Sequence, residues 1–207
     1  TYTGGIAPSL EIDKTTGSVS AATGTTDLHI YRYTHTQGMF TAPSGTMSID
    51  NETGANTTIF TYTAGTFNHN NGTLKFRSWI YQNSREHTIN LNSSSLTFYN
   101  LTFTGGGYFT EDGDVEYTLG SASDTLVVEG DLVLEGDTAS NAKASIKMNN
   151  GIIEAQGNIT INNGVDGGTT IVKMNSTDNQ TYTYTGGIAP SLEIDKTTGS
   201  VSAATGT

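Results

Sequence analysis

Clusters of carboxylates in turn-like stretches are the residues of this sequence whose spacing comes nearest to a metal site. They fall in TEDGDVE, in SIDNETGAN and around LEGD, as Glu111, Asp112, Asp114, Asp50, Glu52, Asp131 and Asp137. Calcium prefers such oxygen ligands, so TEDGDVE, with Glu111, Asp112 and Asp114, is the predicted calcium candidate. None of the stretches reproduces the EF-hand loop or the glycine-rich nonapeptide of calcium-binding β-rolls. Solvated turn carboxylates are therefore the alternative, and no other cofactor is expected.

Asn-X-Ser/Thr sequons offer a second chemistry, the attachment of a glycan to the Asn amide. Eight are present, at Asn51, Asn56, Asn71, Asn92, Asn100, Asn158, Asn175 and Asn179. Four of these, Asn51, Asn56, Asn71 and Asn175, lie in turn-like stretches and are the better candidates. The alternative is that these Asn residues serve turns, since a chain rich in Asn and Thr contains many sequons by chance.

The residues available for catalysis are few. The histidines His29, His35, His69 and His87 have no metal-ligand spacing, so a zinc site is not expected. Polysaccharide-degrading β-helices use carboxylates, calcium and a basic residue. Here only Arg32, Arg77 and Arg85 are available. The sequence therefore predicts a non-enzymatic protein and keeps a polysaccharide-degrading enzyme as a minor alternative.

One stretch, FRSWIYQNSRE, carries the side chains suited to a carbohydrate or protein contact. It holds the single tryptophan, Trp79, together with Tyr81 and two arginines. Aromatic residues with Arg are what such contacts use, although the same residues also fill coil corners.

Thr-X-Thr pairs raise the alternative of an ice-binding surface. They occur irregularly, at Thr1 and Thr3, Thr61 and Thr63, Thr102 and Thr104, and Thr181, Thr183 and Thr185. An ice-binding solenoid needs the motif on one face of nearly every coil, whereas Thr is also a good outward-facing strand residue.

Composition and charge restrict the setting. The chain has 207 residues with no Cys, 9 Lys and Arg against 20 Asp and Glu, and a net charge of -11, which argues against nucleic acid as a partner. It begins at Thr1 without Met or signal peptide and has no apolar run of membrane-spanning length. We therefore expect an internal segment without membrane insertion. Only 14% of residues are charged, as in secreted β-proteins whose polar surface is Thr, Ser, Asn and Gly.

An identical repeat organises the chain. The sequence TYTGGIAPSLEIDKTTGSVSAATGT at positions 1–25 recurs unchanged at positions 183–207, so position 183 repeats position 1. This predicts an array in which 1–182 is one complete unit and 183–207 begins the next, within one continuous solenoid. Removing the duplicate leaves 18 acidic and 8 basic residues, a net charge of -10 per unit.

Inside the unit, short apolar–polar alternations such as SLEID, TLKF and NITIN are separated by Gly, Asn, Asp or Ser, and no helical period is sustained. The pattern predicts an all-β protein, a parallel β-solenoid, with a string of antiparallel sandwiches as the alternative; regular strand cores argue against a disordered linker. At roughly 20 residues per coil, a unit makes about nine coils and extends about 43 Å. The equivalent side chains Leu10, Ile12, Leu192 and Ile194 are expected to be buried in equivalent environments.

The stretches FTYTAGTFNHNNGTLKF, SLTFYNLTF, LVVEGDLVLEGD and GNITINNG resemble repeat modules of giant prokaryotic cell-surface proteins, the filamentous-haemagglutinin-like adhesins and related right-handed β-helices. The resemblance implies a right-handed coil with stacked apolar ladders, Asn and Gly at the corners, and an extracellular setting. The expected function is a structural fibre, filament or adhesin stalk. The alternative is a carbohydrate-binding or adhesive module. Expected partners are neighbouring repeat units and, for the alternative, a cell-surface polysaccharide.

Overall fold

The chain winds into a solenoid whose strands form three parallel sheets. The computed structural model describes residues 5–51, 56–80, 84–107, 112–136 and 143–204, and all regular elements in these ranges are β-strands. Sheet A contains β2 (Asp27–Ile30), β4 (Thr46–Asn51), β7 (Thr73–Ile80), β10 (Asn100–Gly107), β13 (Leu132–Glu135), β16 (Ile159–Ile161), β19 (Gln180–Tyr184) and β21 (Val201–Ala203).

Sheets B and C complete the coil. Sheet B contains β1 (Leu10–Ser20), β3 (Tyr33–Thr41), β5 (Thr57–Tyr62), β6 (Thr66–Asn68), β8 (Arg85–Asn90), β11 (Asp112–Leu119), β14 (Lys143–Asn149) and β17 (Val165–Gly168). Sheet C contains β9 (Ser95–Phe98), β12 (Thr125–Val128), β15 (Ile152–Ala155), β18 (Ile171–Met174) and β20 (Ser191–Ile194). From β8 to β19 the chain visits sheets B, C and A in turn.

All strand pairs in the described residues are parallel, which confirms the parallel β-solenoid and contradicts the antiparallel sandwich alternative. Each coil joins parallel strands through turns, so its hydrogen bonds run along the solenoid axis. The handedness of the coil stays a prediction.

The coils are longer than the sequence rhythm indicated, and the prediction of nine coils per unit is wrong. In sheet A, Thr46 pairs with Thr73, Thr73 with Asn100, and Leu101 with Leu132. One central coil therefore takes roughly 30 residues, a usual length for a solenoid repeat. About six coils of this length make up the unit 1–182, although coils near the two ends are shorter. Three strands and three turns need more chain than was assumed, so the predicted axial length of about 43 Å is also too large.

Alternation along each strand places one set of side chains in a continuous core. In sheet A, Leu74, Leu101, Leu132 and Ile159 follow one another in register and are at most 4% exposed. Parallel ladders in sheets B and C include Val115 with Ile146, Tyr117 with Met148, Leu126 with Ile153 and Val128 with Ala155. This confirms the expected stacked ladders. Because the period of a strand is two, every core residue has an outward neighbour, which is where Thr, Lys and Glu fall.

Corners are made by residues that accept unusual backbone angles or close approach. Asn71, Asn92 and Asn150 adopt left-handed φ values of 55°, 56° and 62°. At Gly157 a Cβ atom would lie 2.1 Å from the carbonyl oxygen of Gly130 on the preceding coil, so only glycine fits there. The expectation that Asn and Gly hold the corners is confirmed.

The two identical copies of the repeated sequence do not occupy equivalent environments, and that prediction is wrong. Ile12 is 2% exposed and Leu10 is half-buried, whereas Leu192 and Ile194 are 42% and 59% exposed. Leu192 and Ile194 pair in register with the buried Val172 and Met174, so they continue the core ladder. β20 is the end strand of sheet C in the described part of the chain, as β1 is of sheet B.

No segment of the described residues forms a helix of the length and apolar character that crossing a bilayer requires.

Candidate functional site

A buried Ser–His pair lies inside the solenoid, between sheets A and B. Ser78 points inward from β7 and His87 inward from β8, and their exposed fractions are 0% and 1%. The Ser78 Oγ and the His87 Nε2 are 2.5 Å apart, and the Ser78 hydroxyl also donates to the Asn51 carbonyl at 3.1 Å. Since a hydroxyl has one proton, the tautomer that satisfies both bonds has His87 Nε2–H donating to Ser78 Oγ.

Ser78 and His87 form a hydrogen bond between two uncharged side chains that are closed to solvent. The pKa of His87 is lowered to about 4, chiefly by burial; the Thr57 backbone opposes the shift, and the Arg85 charge adds to it. Among the described residues no carboxylate hydrogen-bonds to the His87 ring, so the third member of an Asp–His–Ser arrangement is missing. Both side chains are also closed to solvent, so a substrate cannot reach the hydroxyl in this arrangement.

A second polar cluster centres on the buried carboxylate of Asp50, which is 1% exposed. Its Oδ2 lies 2.6 Å from His29 Nδ1, and its Oδ1 lies 3.9 Å from Arg77 Nη1. Three successive strands of sheet A, β2, β4 and β7, supply these residues. The cluster compensates a buried charge, which would otherwise be costly. Glu52, the acidic neighbour predicted beside Asp50, lies outside the described residues.

The four histidines belong to four separate environments. His29 contacts Asp50, and His87 contacts Ser78, as described above. His35 lies 3.0 Å from the Tyr33 hydroxyl, and its pKa is lowered by burial. His69 stacks on Tyr99. Across the described ranges, no three His, Asp or Glu residues come together in a way that would hold a metal ion.

The described part of the calcium candidate is engaged in an axial network. Ser145 donates to Asp114 Oδ1 at 2.6 Å, and Lys147 Nζ lies 3.3 Å from Asp114 Oδ2 and 3.5 Å from Asp166 Oδ2. The hydrogen bond that Lys147 donates to Asp114 is the main cause of a raised pKa for Lys147. Asp112 is the first residue of β11. Glu111 and Asp137 lie outside the described residues, and calcium binding stays a prediction.

The predicted ligand-contact residues are placed only in part. Trp79 lies in β7 and pairs with Gly106 of β10, and Tyr81 lies outside the described residues. The role of this stretch in carbohydrate or protein contact stays a prediction.

Two sequons belong to a ladder of polar side chains at the corner between sheets C and A. Asn100 Oδ1 accepts from the Asp131 backbone N–H at 2.8 Å, and Asp131 Oδ1 accepts from both nitrogens of Asn158 at 3.2 Å. Asn158 Oδ1 then accepts from the Thr181 N–H at 2.9 Å. The side-chain amides of Asn100 and Asn158 thus link successive coils through hydrogen bonds. Asp131, a predicted acidic candidate, belongs to the same ladder.

The remaining sequons differ in accessibility. Asn51 is the last residue of β4 and is 3% exposed, so its assignment to a turn is wrong. Asn56 Oδ1 accepts from the Glu86 N–H, and Asn179 Oδ1 accepts from the Ser200 N–H. Asn175 is half-buried, whereas Asn71 and Asn92 are exposed in turns. Glycosylation itself stays a prediction at all eight positions.

His69, Tyr99 and Glu129 form a column at the same corner, and none of the predicted site residues belongs to it. The His69 and Tyr99 rings stack with centroids 6.0 Å apart, and His69 Nε2 lies 3.4 Å from Glu129 Oε2. The three residues are evenly spaced along the chain, one per coil, and a search for a period of one coil length would have found them. Beneath them, a pocket lined by Pro43, Phe67 and neighbouring residues has a volume of about 10 Å³, room for about one water molecule. The column therefore lies on the surface, above a core that has room for little more than one water molecule.

The outer faces carry mixed side chains. Along sheet A, Lys75 pairs with Thr102 and Thr102 with Val133, so the outward ladder beside the Thr102–Thr104 pair is not made of threonine alone. On sheet C, Lys173 lies 3.4 Å from Glu193 and 3.7 Å from Asp195, and Glu154 pairs with it from the other side. The outer face of sheet C therefore holds alternating charges along the axis in the order Glu154, Lys173 and Glu193.

Comparisons with protein-family models, with curated proteins and with solved structures found no match to the chain. The resemblance to filamentous-haemagglutinin-like adhesins therefore stays a prediction.

Proposed function

We propose that the chain is a load-bearing segment of an extracellular fibre, filament or adhesin stalk built from tandem copies of the unit 1–182. The observation that carries the proposal is the parallel pairing of sheets A and C, which continues from the unit into the second copy at β20 and β21. The strands β20 and β21 of the second copy pair with β18 and β19, which precede them. The boundary between units is therefore no boundary in the pairing of strands.

Axial hydrogen bonds supply the stiffness that such a role needs. Extension along the axis strains the hydrogen bonds between successive coils of three sheets together, and each coil is clamped by its neighbours. The unit's net charge of -10 keeps separate rods apart and soluble. The Thr-, Ser- and Asn-rich surface supports a secreted setting, in which exposed sequons such as Asn71 and Asn92 would carry glycans.

The test is to express chains of one, two and four units and to measure their length by electron microscopy and their order by fibre diffraction. A continuous rod lengthens by a constant increment per unit, and its spacing of about 4.8 Å lies along the long axis. Flexibly linked beads, or a spacing of about 4.8 Å without alignment to the axis, would contradict the proposal.

A second candidate function, carbohydrate binding, is favoured by the column of His69, Tyr99 and Glu129. Tyr99 is 37% exposed, and a sugar ring could stack on it while the flanking imidazole and carboxylate bind hydroxyls. A glycan array probed with the chain and with Tyr99→Ala tests this. Binding that the substitution abolishes supports it, and an array without signal leaves the stalk as the sole proposal.

A further inference from the structure

Three corners of the solenoid carry the same tripeptide, Asn-Asn-Gly. They are residues 70–72 in the turn before β7, 149–151 at the end of β14, and 162–164 between β16 and β17. In an Asn-Gly pair the glycine nitrogen can attack the side-chain amide of the asparagine, because glycine has no Cβ atom to obstruct the approach. Since the three tripeptides are identical, differences in this reaction come from the structure around each corner.

The Asn71–Gly72 pair is restrained through its backbone. The Gly72 N–H donates to the His69 carbonyl at 2.9 Å, and the Asn71 N–H donates to His69 Nδ1 at 3.1 Å. The attacking nitrogen must lose its proton, and here that proton is already bonded to a carbonyl oxygen. Breaking one such hydrogen bond slows a reaction by up to about tenfold, so attack at Asn71 is disfavoured.

The Asn150–Gly151 pair is restrained through its side chain. Asn150 Nδ2 donates to the Leu119 carbonyl of the preceding coil at 2.9 Å, and the Asn150 N–H donates to Thr169 Oγ1 at 2.9 Å. Gly151 is buried, and a Cβ atom there would lie 2.5 Å from Leu119 Cδ2. Attack at Asn150 would break the bond of its amide nitrogen to the preceding coil, so this corner is also protected.

The Asn163–Gly164 pair has neither restraint. In the described part of the chain, the Gly164 N–H and the Asn163 side-chain amide make no hydrogen bond. Asn163 is exposed, so water reaches its amide. The Gly164 φ of 80° lies in the left-handed region, which favours glycine at the position that the reaction also needs.

From these differences we infer that Asn163 is a site of spontaneous deamidation, with water as the only co-reactant. The Gly164 nitrogen loses its proton and bonds to Asn163 Cγ, the Cγ–Nδ2 bond breaks, and ammonia leaves with the proton. Water then opens the cyclic imide at one of its two carbonyl carbons. Opening at Cγ gives aspartate, and opening at the main-chain carbonyl carbon gives isoaspartate, in which the chain runs through the side chain.

The product changes a corner that contacts the coils on both sides. The Asn163 carbonyl accepts from the Gly136 N–H of the preceding coil at 3.1 Å. Its Oδ1 lies against Gly186 of the following coil, where an added Cβ atom would be 1.7 Å away. Either product adds a negative charge to a unit that already carries -10. Isoaspartate also lengthens the main chain at the corner, which is expected to weaken the bond from Gly136.

Peptide mapping by mass spectrometry, after incubation of the chain at pH 8 and 37 °C, tests the inference. In the folded chain, Asn163 is expected to convert roughly tenfold faster than Asn71 and Asn150, because neither hydrogen bond has to be broken first. In guanidinium chloride the three sites are expected to convert at similar rates, since the tripeptides are identical. Asn163→Gln is the control and is expected to remove most of the acidic species that ion exchange separates from the folded chain.

Two outcomes would overturn the inference. One is that Asn71 or Asn150 converts as fast as Asn163 in the folded chain. The other is that Asn163 converts at least tenfold more slowly in the folded chain than in guanidinium chloride, which would show that the fold protects this corner too. Neither outcome depends on how units assemble, so the result is separate from the stalk proposal.

Discussion

Phe76 and Phe103 stack face to face on successive coils of sheet A, with ring centroids 5.1 Å apart and an interplanar angle of 18°. Both are fully buried, and Tyr117 packs against both rings from sheet B. The pair therefore joins two coils and two sheets through one apolar contact.

Phe103→Ala is expected to lower the free energy of unfolding by about 3–5 kcal/mol, because it leaves a cavity that two packed sheets cannot close. Urea denaturation measures the change. Thr102→Ala, the outward-facing neighbour in the same strand, is the control and is expected to change stability by about 0.5 kcal/mol or less. Equal losses in the two variants would mean that the ring ladder does not dominate stability.

Asp124 is expected to be the costliest polar residue to remove. It is fully buried, and its two carboxylate oxygens accept from the backbone N–H groups of Leu91 and Ser93 on the preceding coil, at 3.0 and 2.8 Å. Asp124→Ala leaves both donors unsatisfied and is expected to cost about 2–4 kcal/mol in chemical denaturation. Asp124→Asn keeps one acceptor oxygen and is expected to cost less, whereas Ser123→Ala, at an exposed site, is expected to be neutral. If Asp124→Ala is also neutral, the corner does not depend on this carboxylate.

Stability is expected to fall as the pH drops from 6.5 to 4, because of His87. Its folded-state pKa of about 4 lies below the usual 6.5, so in this window the unfolded chain binds more protons. The stability is complete above pH 6.5 and is lost as the pH falls, by about 3 kcal/mol at pH 4. His35 adds a loss of the same sign.

The measurement is urea denaturation of the parent and His87→Gln at pH 7, 5.5 and 4.5, where the difference between the proteins isolates His87 from the carboxylates. His87→Gln is expected to flatten the decline. Parallel stability curves would show that the pKa of His87 is the same in the folded and unfolded states, and would contradict the account.

The structural features that the sequence predicts are those that repeat over a few residues. Period-two alternation in stretches such as Leu132–Glu135 reveals a strand and its buried face. Sequence alone does not show how many strands make one coil, since that depends on where the chain returns over itself. The predicted coil length of roughly 20 residues is therefore too short.

The period-two alternation does not predict the polar residues inside the solenoid. Nothing in the sequence pattern marks Ser78 and His87 as a buried pair, and only the meeting of β7 and β8 shows that they hydrogen-bond to each other. Tyr99 looked like one strand residue among many, since its partner His69 lies a full coil earlier in the chain. Conversely, the neighbours of Asn51 predict a turn, although Asn51 is the last residue of β4.

Lateral association of rods is expected to follow ionic strength, since each unit adds a charge of -10 while cations such as Lys147 and Lys173 are already paired with carboxylates along the axis. At about 0.01 M salt the screening length is about 30 Å and rods repel one another; at about 0.15 M it is about 8 Å, and close approach becomes less costly. Light scattering of multi-unit chains is therefore expected to rise with NaCl across this range.

Calcium at matched ionic strength separates screening from binding. The acidic turns are either solvated or bonded within the protein, as Asp114 is to Ser145 and Lys147. In either case the multi-unit chains are expected to scatter no more light in calcium than in NaCl, and their melting temperature is expected to stay unchanged. A rise in melting temperature with millimolar calcium that Asp114→Asn removes would instead establish TEDGDVE as a calcium site. Glu154→Gln, on the outer face of sheet C, is the control for the loss of one negative charge. Scattering that falls as salt rises would contradict the electrostatic account, because screening can only weaken repulsion between rods of like charge.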